Sequence, residues 1–163
     1  MEISFGHFTL FITILLFGLV AGLCFTWGNA VTPGIGQLGD MHYLQAFQKM
    51  NRSIKNPLFF LVFMGSFPLG LAAIFTNRGI SSSYFWLIVI AVGIYGIGVV
   101  WITLLGNVPL NELLDKTDLM GNSPEELKTL RERFEQPWNR FHTIRIFSAS
   151  ISFAMLVLSA LYK

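Results

Sequence analysis

In the stretch RFEQPWNRFHTIRIF, residues 133–147, the Trp138 indole, the Asn139 amide, the His142 imidazole and the guanidinium groups of Arg140 and Arg145 stand at the start of an apolar run. At about 100° per residue, Trp138, His142 and Arg145 fall in one narrow sector of a helix, which Ala149, Ser152 and Leu156 extend. Ile144, Phe147 and Ile151 fall on the far side. An imidazole exchanges protons near neutral pH, and a guanidinium beside it can hold an oxyanion. Inside an apolar run an unpaired guanidinium costs several kcal/mol, so Arg145 needs partners.

The sequence offers candidates in TLLGNVPLNE, residues 103–112. Thr103, Asn107 and Asn111 are spaced i, i+4, i+8 and share a helix face, while Pro109 removes one backbone donor and frees the Leu105 carbonyl. The amides of Asn107 and Asn111, with the His142 imidazole, are expected to neutralise Arg145. Asn29 and His42, from the first connection, belong to the same end of the molecule, and Asn139 adjoins Trp138. Taken singly, each residue is accounted for by helix capping or an interhelical tie of roughly 0.6 to 2 kcal/mol. The convergence of a charge, two amides, an indole and an imidazole points instead to a pocket.

The elements that must position these groups follow from composition. The chain has 163 residues, 53% hydrophobic and only 12% charged, about half the charge of an ordinary soluble domain. Four uncharged stretches, Phe8–Phe25, Leu58–Phe75, Tyr84–Leu105 and Ile146–Tyr162, each approach the ~20 helical residues that cross a bilayer. The expected fold is all-α: one domain over residues 1–163, an integral-membrane up-down four-helix bundle with amphipathic helices in the two long connections. The first stretch is read as retained, because its leader MEISFGH has Glu2 but no Lys or Arg and no A-x-A site follows. Lys and Arg concentrate in the two long connections, from Lys49 to Lys55 and from Lys116 to Arg140, against Arg78 and Lys163 on the other face. Both termini are therefore expected outside and the long connections in the cytoplasm, in a bacterial-type inner membrane.

TNRGISSS, residues 76–83, reads as a tight turn between antiparallel helices. In the first connection, Pro33, Gly34, Gly36 and Gly39 are expected to break the helix after WGNAV, with Asp40 capping a new one. Tyr43, Leu44, Phe47, Met50 and Ile54 recur at helical spacing, so residues 41–55 form an amphipathic helix. In NSPEEL, Ser123 and Glu126 have the spacing of a capping box. Pro137 is expected to begin the fourth helix. Cys24 is the one cysteine, so no disulfide and no Cys-rich metal cluster forms within the chain. A net charge of +2 without a basic tract gives no sign of nucleic-acid binding. His7 is placed at the opposite face as an interfacial residue. Gly18, Gly22, Gly93, Gly96 and Gly98 allow close helix approach, for internal packing first and a homo-oligomer seam second.

The segments GNAVTPGI, FQKMNRSIKNP, GNVPLNE and SPEELKTLRERFEQPWNRFHTIR resemble the anthrone oxygenase-like family of small four-helix membrane proteins. The resemblance spans nearly the whole chain, with Phe141 standing where the family often has a second aromatic. It implies a monooxygenase that converts anthrones to anthraquinones without metal, flavin or other cofactor: the deprotonated methylene becomes an electron-rich anion able to reduce O₂. On this reading His142 is the base, Arg145, Asn107 and Asn111 hold the oxyanion, Trp138 stacks on the flat ligand, and His42, Asn29, Asn139 and Thr103 line its site. Two other readings stand beside it. One is a binding protein for a lipid, a quinone or a partner helix; the other is a metal site on His42 and His142 with Asp40 or Glu112, which lacks H-x-x-x-H or E-x-x-H spacing.

Overall fold

Within hydrocarbon a backbone has no water to bond, so an apolar stretch must satisfy its own N–H and C=O groups and becomes a helix. The computed structural model describes residues 4–79 and 82–161, and all of its regular elements are helical. They are α1 (Phe5–Thr26), α2 (Thr32–Gly36), α3 (Asp40–Ile54), α4 (Pro57–Thr76), α5 (Ser82–Tyr95), α6 (Val108–Lys116) and α7 (Pro124–Leu161). Turns of π-helix, Trp27–Val31, Gly96–Trp101 and Thr103–Asn107, join α1 to α2 and α5 to α6. Four helical rods result that are long and apolar enough to cross a membrane: Phe5–Gly36, Pro57–Thr76, Ser83–Lys116 and Pro124–Leu161. Of the leader, the turn and the last stretch expected from sequence, residues 1–3, 80–81 and 162–163 lie outside the described residues.

Three of these rods outrun their apolar stretches. The first continues through Pro33 to Gly36, and the third through Pro109 to Lys116. In both, a π-helical turn ends two residues before the proline, at Val31 and at Asn107. A proline ring clashes with the carbonyl four residues back, and the wider π turn relieves that clash, so the helix bends its pairing rather than ending. Pro137 does not begin the fourth helix but sits inside α7, which starts at Pro124 behind a capping box: Ser123 N–H donates to Glu126 Oε2 (2.8 Å) and Glu126 N–H to Ser123 Oγ (3.3 Å). Likewise Gly39, not Asp40, is the residue that caps α3.

In the bundle α1 packs on α4 and α7, and α5 on α7 and α4. Phe17, Val20, Phe63, Val92, Tyr95 and Leu156 fill its centre. Gly18, Gly96 and Gly98 are spent on this packing, since added methyl groups would meet Phe153, Phe67 and Ser148 respectively; Gly22 and Gly93 face open space. Phe5, Leu61, Phe75, Ile97 and Leu105 are more than 60% exposed, an apolar outer surface that suits lipid. Ser4 and His7 cap the start of α1.

A second apolar cluster closes one end. Tyr43, Leu44 and Phe47 of α3 pack with Leu114, Leu127, Phe134 and Trp138. Arg131 ties the end of α2 to α7: it donates to the carbonyls of Gly36 (2.7 Å) and Leu38 (2.7 Å), to Asp40 (3.0 Å) and to Glu135 (2.6 Å), with its guanidinium 4.3 Å over the Tyr43 ring. The two carbonyls belong to a helix end whose acceptors would otherwise be unpaired.

Candidate functional site

Between α3 and the body of the bundle lies a cavity of about 260 Å³, near the lower limit of the ~300–1,000 Å³ range of small-molecule sites. Its wall is mostly apolar, with Leu23, Phe47, Phe59, Phe63 and Met64, while Thr103, Asn111, Trp138, His142 and Arg145 supply the polar part. Phe60, half exposed, and Lys55 stand at its rim.

The helical sector read from the sequence is the buried face of α7: Trp138, His142, Arg145, Ala149, Ser152 and Leu156 are buried, while Ile144, Phe147 and Ile151 are exposed. Arg145 is 9% exposed. Its Nη2 donates to His142 Nδ1 at 2.6 Å and its Nη1 to Thr103 Oγ1 at 3.2 Å, while its buried Nε has no partner. The guanidinium lies 5.5 Å from the Trp138 ring and 6.0 Å from the Phe63 ring. Among the described residues no carboxylate pairs with it.

The expected partnership of Arg145 with the two asparagines is not what forms. Asn107 Nδ2 donates to the Trp138 carbonyl (3.2 Å), and Asn111 Oδ1 accepts from Trp138 Nε1 (2.8 Å). The reason is register. Arg145 lies seven residues beyond Trp138, about 10 Å along α7, so in the third rod Thr103 comes level with Arg145 while Asn107 and Asn111 come level with Trp138. The three side chains do share a face toward α7, as their spacing requires.

His142 Nε2 lies 3.0 Å from the Cys24 carbonyl, which can only accept, so Nε2 carries the hydrogen and Nδ1 presents its lone pair to Arg145. The ring stacks on Trp138 with centroids 4.8 Å apart at 23°. It approaches the π turn after α1 at Gly28, where an added methyl group would lie 3.5 Å from the imidazole and closer still to Ile146. Trp138 has its other flank against the edge of Phe47, at 4.9 Å, so only part of its surface is left to the cavity.

Other residues picked out in the sequence lie elsewhere. His42 is exposed on α3 and Asn29 is exposed in the π turn after α1; neither lines the cavity. Asn139 borders a separate shallow groove with Glu132, Glu135 and Arg140. Among the described residues no three His, Cys, Asp or Glu side chains group as metal ligands. The sequence reading passed over Asn51, a buried amide in the cavity wall, although its place in the apolar stripe of α3, one turn after Phe47, marks it.

Four rods long and apolar enough to cross a membrane, with a mostly apolar cavity and a buried cation in its wall, define a four-helix membrane-type protein. The family model for anthrone oxygenase matches residues 59–155, more than half of the chain, and the protein belongs to that family. The match runs from the start of α4 to the last turns of α7 and includes Thr103, Asn107, Asn111, Trp138, His142 and Arg145. Neither a curated protein nor a solved structure matches the chain.

Proposed function

We propose that the cavity binds a planar aromatic ketone of the anthrone type and oxidises it with O₂, without a cofactor, to the corresponding quinone. One observation carries this reading: a guanidinium buried in the wall of a mostly apolar cavity, hydrogen-bonded to neutral groups and, among the described residues, paired with no carboxylate. An uncompensated cation in such surroundings is costly, and an anion that forms in the adjoining space compensates it. A deprotonated anthrone is such an anion.

In the proposed reaction the substrate carbonyl oxygen takes over the Arg145 N–H now given to His142. That exchange releases the Nδ1 lone pair, which accepts a proton from the substrate methylene while Arg145 and Thr103 hold the charge on oxygen. The enolate carbon then gives up electrons to O₂ and forms a C–O bond; the resulting hydroperoxide loses water, so that anthrone and O₂ yield anthraquinone and H₂O. Asn107 and Asn111 act through Trp138, which they hold at its carbonyl and its indole nitrogen. Oxygen uptake by purified protein with anthrone, compared with protein carrying Arg145→Met, tests the reading. A rate equal to that of buffer alone would end it.

A second reading draws on the same contacts. Both nitrogens of His142 are occupied by protein partners, an arrangement that suits a protein which holds a lipid-soluble ketone or quinone without transforming it. Tight binding of such a ligand without oxygen uptake would select it.

A further inference from the structure

Asn51 is 6% exposed, lines the cavity and makes no side-chain hydrogen bond among the described residues. Its amide atoms keep some accessible surface, and the residue forms part of the cavity wall. It stands on the α3 face that supplies Phe47 one turn earlier and Ile54 one turn later, both cavity residues, and it is the buried polar member of that stripe. A buried amide costs stability unless something bonds it, and no side chain or backbone group of the described residues does.

We infer that Asn51 is a ligand-binding residue, which recognises a second hydrogen-bonding group on the ligand, remote from the carbonyl held by Arg145. The inference rests on the cavity being the site of a planar aromatic ketone. Two polar positions then face the ligand from different elements. Arg145 lies about 10 Å along α7 beyond Trp138, while Asn51 lies one turn along α3 from Phe47, which itself covers Trp138. A flat ring system that extends between them presents a carbonyl at one end and a ring hydroxyl at the other. An amide both donates and accepts, so a neutral phenol satisfies it in either sense. Asn51 precedes residues 59–155, the segment that the family model matches.

The test uses anthraquinone and 2-hydroxyanthraquinone, product-like planar ketones that do not turn over, with binding followed by quenching of tryptophan fluorescence in detergent. Wild-type protein is expected to bind the hydroxylated compound about fivefold more tightly than its parent, the effect of one hydrogen bond. In Asn51→Leu protein that preference disappears, and the melting temperature is equal or higher because no protein partner is lost. A preference that persists in Asn51→Leu, or none in wild type, overturns the assignment: the amide then meets only water. A fall in melting temperature overturns it too, since the amide would be structural. Failure of wild-type protein to bind either compound would instead overturn the reading of the cavity itself.

Discussion

Arg145 and His142, one turn apart on α7, share a hydrogen bond of 2.6 Å in which the guanidinium donates and the neutral imidazole accepts. The bond fixes the tautomer of His142 from one side as the Cys24 carbonyl fixes it from the other. It also occupies the one lone pair through which the ring could take a proton. In the proposed reaction, transfer of this N–H to a substrate oxygen and release of His142 as a base are one event.

Arg145→Met is expected to lower the oxidation rate by about 10²–10³, the usual effect of deleting an oxyanion donor, while the melting temperature stays level or rises because a buried charge is gone. Arg145→Lys is expected to be comparably slow, since a single ammonium cannot direct donors at Thr103 and the substrate at once. Oxygen uptake and thermal unfolding in detergent measure the two effects. A lysine variant at wild-type rate would refute the directed-donor role.

His142→Gln keeps an N–H able to reach the Cys24 carbonyl but removes the basic nitrogen. It is expected to fold and to turn over about 10²–10⁴ times more slowly, with ligand affinity largely retained. If affinity collapses along with turnover, His142 serves binding and the base lies elsewhere.

Gly98 faces the Ser148 side chain, whose Cβ lies where an added methyl group would go, whereas Gly93 in the same rod meets nothing. Gly98→Ala should therefore destabilise the bundle by roughly 1–3 kcal/mol through overpacking. Gly93→Ala should be neutral or slightly stabilising. Paired thermal melts separate them, and equal melting temperatures would contradict the packing described.

Tyr43 is fully buried and its hydroxyl has no partner; burial first, and the nearby Glu135 second, push its phenol above the ordinary range. The folded chain therefore keeps this proton at pH values where the unfolded chain, with a phenol near 10, has released it. Its contribution is complete below about pH 10 and is lost as the pH climbs further. Tyr43→Phe should melt no lower than wild type at neutral pH and lose less stability between pH 9 and pH 11. An identical alkaline decline in both proteins would contradict this.

The sequence made local periodicity legible. The buried sector of α7, the amphipathic stripe of α3 and the Ser123–Glu126 cap follow from 3.6-residue spacing or three-residue offsets, and each forms as read. Register between rods is not local. Each residue added to a turn shifts the phase of everything after it, and π-helical turns precede Asn107 and surround Asn29, so the partner of Arg145 could not be read from spacing alone. Helix ends were hidden for a related reason: Pro33 looks like a stop and Pro137 like a start, yet the helix runs on through Pro33 and Pro109 behind wide turns, and Pro137 sits half-buried inside α7. Asn51 was hidden by its own setting, because one polar residue in an amphipathic helix reads as part of the solvated side.

α7 carries its groups on an unbroken shaft. Its 38 residues span about 57 Å, far more than the ~30 Å of hydrocarbon in a bilayer, and near its start its own Arg131 ties it to the foot of the first rod. The imidazole and guanidinium thus ride on a helix anchored about three to four turns away from them, at the Gly36 carbonyl.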